Sequence, residues 1–149
     1  MTKDKVKPDS ADKVYWRQNE TFADLFNAYL YNGEQVIKSE ELEELDTDKF
    51  LPVITLVLYY GEKDWDGPRS LYDMLVIPDR IKHFVGNYPI NIIQMRDNDL
   101  LFHNQYNVDL FTVMSIVYNT EKTMNQKIEE LRQYESDRRI DEKVIDVIV

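Results

Sequence analysis

The sequence predicts a mixed α/β (α+β) fold in which about two strands are flanked by helices and followed by a long charged C-terminal helix. Three patterns carry this expectation. Phe22, Leu25, Phe26, Tyr29 and Leu30 recur at the i, i+3, i+4, i+7, i+8 spacing of a helix with one apolar stripe. The run "FLPVITLVLYY" over 50–60 is apolar without alternation, the pattern of a strand buried on both faces inside a parallel or mixed sheet. From about residue 121 onward Glu, Lys and Arg dominate, with Met124, Ile128 and Leu131 on one helical side and Val144, Ile145 and Ile148 near the end.

At 149 residues the chain has room for one domain of ordinary size, and a composition that is 43% hydrophobic and 31% charged is that of a chain able to bury a core. The absence of cysteine excludes a disulfide framework and thiolate metal sites, and is compatible with a reducing compartment. No apolar stretch approaches the roughly 20 residues of a membrane helix, and the start "MTKDKVKPDS" lacks a signal-peptide apolar region. A cytoplasmic protein without a membrane partner is expected. The formal net charge of −10 opposes a dense polyanion, so weak or no DNA binding by this chain alone is expected. The basic groups Lys3, Lys5 and Lys7, Arg80 and Lys82, and Arg138 with Arg139 read as solvated surface clusters.

In chain order, 1–12 reads as a flexible tail, 13–120 as the folded domain and 121–149 as the charged helix, which is expected to project. Asn32-Gly33 closes the first helix, because glycine accepts the left-handed conformation. In "SEELEEL" Ser39 can cap a short helix, with Glu40 and Glu41 in its positively polarised first turn. Within the apolar strand, Val53, Thr55, Val57 and Tyr59 face one way and Ile54, Leu56, Leu58 and Tyr60 the other; Pro52 marks its entrance and Gly61 its end. "DGPRSLYDML" predicts a turn and a short helix with Pro68 at its first position, and "IPDRIKHFVG" another short helix from about Pro78 to Gly86. "YPINIIQMRD" predicts the second strand, entered at Pro89. Asn107 can cap a strongly apolar, well-buried helix in which Leu110, Val113, Met114 and Val117 share a face that Phe111 and Tyr118 widen. The order is helix, strand, helix, strand, helix, helix, and a two-stranded sheet is marginal without further covering.

Few residues combine into a chemical site. Glu62, Asp64 and Asp66 in "GEKDWDG" follow a strand, where magnesium ligands sit in α/β folds, but a polar turn in which Asp bonds nearby amides explains them more simply. Glu20 and Asp24 lie one helical turn apart and could share a site, or form the solvated side of the helix. His83 and His103 are too few and too isolated for zinc, and neither stands beside a Ser or Cys nucleophile arrangement. There is no G-x-G-x-x-G and no Walker pattern. Pro78-Asp79 and Asp141-Glu142-Lys143 match nuclease motifs only as text. No catalytic, cofactor-binding or metal-binding residue is therefore assigned.

The segments "YWRQNETFADLFNAYLYNGEQVIKSEELEELDT" (15–47), "FLPVITLVLYYGEKDWDGPRSLYDML" (50–75) and the later "INIIQMRDNDLLFHNQYNVDLFTVMSIVYN" together resemble the recombination-promoting nuclease family, also known as YhgA-like transposases. The resemblance covers most of the chain. It implies a restriction-endonuclease-like core of the PD-(D/E)XK type, cutting DNA with Mg²⁺ held by a strand-borne Asp and a Glu-x-Gln or Glu-x-Lys on the next strand. It also implies that the strands bearing those residues belong between the first helical region and the strand at Phe50, where Asp46-Thr47-Asp48-Lys49 stands instead.

No residue of this chain matches the family's catalytic positions, so none is carried over, and no cofactor is expected here although the family uses Mg²⁺. The resemblance further implies that the chain stops short of the family's usual extent. The expectation is a truncated core: a degenerate, internally deleted member without DNA cleavage activity. The alternatives are a small interaction or inhibitory module pairing with itself or with a full-length nuclease, and a Mg²⁺-dependent endonuclease with a rebuilt site at Glu20, Asp24, Asp46 or Asp48.

Overall fold

A computed structural model describes residues 10–43, 53–96 and 99–148. Within them lie helices α1 (Ala11–Trp16) and α2 (Asn19–Tyr31), strands β1 (Leu56–Tyr59) and β2 (Asn91–Gln94), and helices α3 (Gln105–Val117), α4 (Met124–Asp137) and α5 (Glu142–Ile148). Of the expected tail only 10–12 are described, and Ala11 and Asp12 already belong to α1. The fold is thus mixed helix and strand, with two strands flanked by helices, as the sequence predicts.

The strands pair in parallel, with Leu56 opposite Asn91 and Tyr59 opposite Gln94. Parallel pairing needs a long crossover, and residues 60–90 supply it. Phe50 to Pro52 lie outside the described residues, and 53–55 are irregular, so the described strand is shorter than the apolar run. It is also half-buried throughout, not buried on both faces. The reason is topological: among the described residues no third strand joins the pair. Leu56, Leu58 and Tyr60 pack against the core, whereas Tyr59 turns to the other side and meets Trp65 edge-on at 5.2 Å.

The two helices expected inside the crossover are single 3₁₀ turns, Leu71–Met74 and Lys82–Phe84. Ser70 and Asp73 form a reciprocal capping box, so the first does nucleate. It stops at once because Val76 and Ile77 are β-branched and Ile77 precedes Pro78, which disfavours helical backbone. Ser39–Glu41 is likewise a 3₁₀ turn, with Lys38 and not Ser39 at its N-cap position.

The core cluster joins Tyr15 of α1, Leu25 of α2, Ile93 and Met95 at β2, Leu110, Phe111 and Met114 of α3, and Val144 of α5. Helix α3 is buried on the face the sequence predicts, but its cap is Asn104, whose side chain accepts from the Tyr106 and Asn107 amides. Helix α2 buries Thr21, Ala23, Asp24, Leu25, Asn27 and Ala28, while Phe22 and Leu30 are exposed. The buried face is therefore rotated from the aromatic stripe, because Asp24 and Asn27 find hydrogen-bond partners inside.

Helix α2 ends at Asn32 in the left-handed region (φ 50°), followed by Gly33 at φ 86°, whose amide reaches back to the Asn27 carbonyl at 3.0 Å. A Cβ on Gly33 would lie 2.8 Å from Leu101 Cβ and 2.9 Å from the Leu101 carbonyl, so glycine is required by space as well as by φ. Beyond the turn, Asn27 clips the returning chain: its Oδ1 accepts from the Val36 and Ile37 amides and its Nδ2 donates to the Ile37 carbonyl.

The single projecting C-terminal helix expected over 121–149 is instead two helices. Arg138 leaves helical geometry with ψ 144°, and α5 restarts after Asp141, whose side chain accepts from the Lys143 amide at 3.0 Å. Helix α5 turns back onto α1 and α3 and places Val144 at 0% exposure in the core. The apolar terminus is what turns it: "VIDVIV" has no reason to stay in water when Tyr15, Leu110 and Met114 offer a surface. Helix α4 buries no residue fully. It opens on a capping box between Thr123 and Gln126 and is tied to α3 by Lys127 Nζ donating to the Val117 carbonyl at 2.7 Å.

Candidate functional site

The chemistry-bearing side chains that the fold brings together lie on a polar seam between α2 and α3. Thr21, Asp24 and Asn107 are all buried on it. Asn107 uses both ends of its amide: its Oδ1 accepts from Tyr15 OH at 2.9 Å, and its Nδ2 donates to the Thr21 carbonyl and to Asp24 Oδ2, each at 2.9 Å. Asp24 Oδ1 accepts from the His103 amide at 2.7 Å. Thr21 Oγ1 closes the circuit on the Tyr15 carbonyl at 2.8 Å. Three helices and the segment before α3 are thus fastened by one set of hydrogen bonds, none of whose buried members is left over.

Two residues further along α3, Asp109 forms a second buried carboxylate site. Tyr134 OH donates to its Oδ1 at 2.7 Å, and Arg138 Nε lies 3.1 Å away. This pair anchors the C-terminal end of α4. The fold therefore uses Asp109 to neutralise an arginine and Asp24 to collect neutral donors.

Burial pushes the Tyr15 hydroxyl well above the ordinary tyrosine value, and the negative charges of Asp109 and Asp24 push it further the same way. Burial also raises Tyr60 and Tyr134, the latter helped by its bond to Asp109. Because the neutral phenol is the form the folded state favours, its contribution is complete below the ordinary value of 10.0 and is lost as pH climbs above it. The expected result is an unfolding midpoint that falls steeply above about pH 10, followed by circular dichroism, with Tyr15→Phe making the fall shallower. An identical alkaline profile for that variant would remove Tyr15 from this role.

The candidate carboxylates separate in space. Glu20 is exposed while Asp24, four residues on, is buried, so the helix-face pair is split between solvent and core. Glu20, Asp24, Glu40 and His103 do line one open cleft of about 300 Å³. Asp24, however, reaches it with both oxygens already engaged. Glu62, Asp64 and Asp66 are exposed on the turn after β1, as the simpler reading has it, although the partners differ from those expected. Asp64 pairs with Arg96, Arg96 also donates to the Glu62 carbonyl, and the Trp65 amide is taken by Gln94 Oε1 at 2.8 Å.

His83 stacks on Phe84 in solvent, with ring centroids 3.9 Å apart. Asp79 is exposed in the crossover, and Asp141 serves the start of α5. Asp46 and Asp48 lie outside the described residues. Magnesium accepts several oxygens in octahedral array, and among the described residues no group of three or more His, Asp or Glu side chains could hold a metal ion. The described carboxylates therefore do not converge as a magnesium ion requires.

Asp109 and Tyr15 are functional-looking residues that the sequence does not single out, and Asn107 stands out there only as a helix cap. A signal for Asn107 is present: Asn107, Leu110 and Met114 stand at i, i+3, i+7, which places an amide on the apolar stripe and not at its end. The same holds in α2 for Thr21, Asp24, Leu25 and Ala28. No comparable signal marks Asp109: besides Gln105 four residues earlier, its partners are Tyr134, 25 residues further on, and Arg138.

No helix among the described residues is long and apolar enough to cross a membrane. No curated protein and no solved structure matches the chain. The profile of the family described as "Putative transposase, YhgA-like" matches residues 29–142, which is most of the chain, and the protein belongs to that family.

Proposed function

We propose that this chain is a degenerate member of its family that does not cleave DNA, an internally deleted form of the PD-(D/E)XK core to which the resemblance points. The observation that carries the reading is the state of Asp24. Among the carboxylates that the sequence singles out it is the one buried at a cleft, and each of its oxygens already accepts a hydrogen bond, from Asn107 and from the His103 amide, while Asp109, also buried at a cleft, is held by Tyr134 and Arg138. A magnesium ion recruited there would compete for the same two oxygens with hydrogen bonds that hold α1, α2 and α3 together. The net charge of −10 supports weak or no DNA binding in addition.

The test is plasmid DNA incubated with the purified protein and Mg²⁺ or Mn²⁺. Supercoiled DNA is expected to persist. Metal-dependent nicking that disappears on mutating Glu20, Asp24, Asp46 or Asp48 would establish the rebuilt-site endonuclease instead.

A second reading, a small interaction module, is favoured by the sheet. Strands β1 and β2 pair only with each other among the described residues, and open strand edges lend themselves to association. In that role the partner is a second copy or a full-length relative.

A further inference from the structure

The bend between α4 and α5 is not dictated by the residues that form it. Arg138, Arg139, Ile140 and Asp141 include no glycine or proline, and arginine is among the better helix formers. A helix running unbroken from α4 into α5 would give the amides of 139–141 carbonyls four residues back. Tertiary contacts bend the chain instead. Arg138 is extended (φ −162°, ψ 144°), Asp141 accepts from the Lys143 amide to start α5, and Val144 is fully buried in the core cluster.

Polar satisfaction also fails at the bend. Arg138 Nε faces Asp109 Oδ1 at 3.1 Å without hydrogen-bond geometry, and among the described residues it is the buried side-chain polar atom left with no such bond. Each such group in a folded chain needs a reason, and a bend held from outside supplies one. Beyond the bend α5 seats on α1 and α3 and, among the described residues, does not pack on α4. An open cleft of about 970 Å³ separates the two helices, lined by Glu135, Asp141, Glu142 and Asp146 against Arg139 and Lys143, so charge does not draw them together. Straightening the bend gives up no α4–α5 packing.

We infer that α5 is an exchangeable element. With the bend straightened, α4 and α5 form one helix that carries its end about 16 Å beyond Asp137. It then seats α5 on the α1–α3 face of a second copy, whose own α5 returns the exchange. The occupant follows from the fold: that face is already shaped around α5, and a second copy offers the identical face with the same seat for Val144. A short hinge bent against its own propensity invites such an exchange. Self-pairing is the second reading given above, on which this inference rests, here placed at α5 and not at the strand edges.

The experiment uses the full chain, which has no cysteine, so that introduced thiols are unique. Copies carrying Gln18→Cys are mixed with tagged copies carrying Lys143→Cys and treated with a short bis-maleimide; the side chains of Gln18 and Lys143 meet at 3.5 Å where α5 lies on α1. Links from 18 of one copy to 143 of another are expected, at twice the 17.8 kDa chain mass and rising over a range of micromolar concentrations. Inserting Gly-Ser-Gly-Ser between Arg139 and Ile140 is expected to abolish them, because glycine interrupts the straight helix and a longer hinge lets α5 close on its own chain. Asp141→Ala removes a cap present only in the bent form and is expected to raise the dimer constant about tenfold, since each copy loses one cap. All variants are expected to keep the wild-type circular dichroism. Copies that pair without 18–143 links would overturn the exchange while leaving self-pairing intact, and links undiminished by the insertion would overturn the straightened helix as its cause. Light scattering at one chain mass throughout would overturn the inference, and failure to bind a full-length relative as well would overturn the reading beneath it.

Discussion

Asn107→Ala is expected to destabilise the protein by about 3–5 kcal/mol, a large share of the 5–15 kcal/mol typical of a folded domain. The size follows from what the substitution strands, since truncation removes an amide but leaves its partners in place. Tyr15 OH loses its acceptor, and the Thr21 carbonyl and Asp24 Oδ2 lose their donor, all in a region from which solvent is excluded. Each orphaned neutral group costs about 1–3 kcal/mol and a charged one more. Partial entry of water into the vacated space lowers the total. Tyr15→Phe removes one end of the same chain and should cost less, about 1–2 kcal/mol, because Asn107 keeps its other two bonds.

Combining the two substitutions should give a loss smaller than their sum, since both delete one hydrogen bond. Urea unfolding followed by circular dichroism measures all three. A loss below about 1 kcal/mol for Asn107→Ala would show that the α2–α3 seam is wet or loosely formed.

That network also shows why the fold was more legible than the site. Element types at Phe22–Leu30, Ile90–Ile93 and Leu110–Val117 are set by local periodicity, which the chain displays openly. Element lengths depend on neighbours. The run at 50–60 has the composition of an interior strand, yet its described part holds a half-buried strand of four residues, because a strand is only as buried as the sheet around it. The stretch 71–86 has helix caps but no stripe long enough to reward a helix, so each start ends within a turn.

The site fared worse for a physical reason. Polar residues are read from sequence as caps, turns or solvated faces, and Asn107 and Asp24 match those expectations by type. Only their long-range partners, Tyr15 and the His103 amide, make burial tolerable. Partners separated by 92 and 79 residues leave no mark on local pattern.

Val144→Asp is expected to cost about 4 kcal/mol or more, or to release α5 from the domain altogether. Val144 has no exposed surface and packs with Tyr15, Leu110 and Met114. A carboxylate there would be desolvated beside the buried seam. The adjacent Lys143 reaches over the Tyr106 ring instead, with its Nζ 3.5 Å from Gln18 Oε1. Ile145→Asp supplies the control. It changes the next residue of the same helix by the same chemistry, but Ile145 is 43% exposed and should shift stability by no more than about 0.5 kcal/mol. The contrast separates two views of the C-terminus: a charged helix projecting into solvent would tolerate both substitutions alike, whereas a helix folded back onto α1 and α3 tolerates only the second. Thermal melts of the two variants decide between them. Since Tyr15 belongs both to the core that Val144 completes and to the hydrogen bonds of Asn107, loss of α5 should also weaken the seam, and Val144→Asp should then make the alkaline fall in stability shallower, because a less buried Tyr15 favours the neutral phenol less.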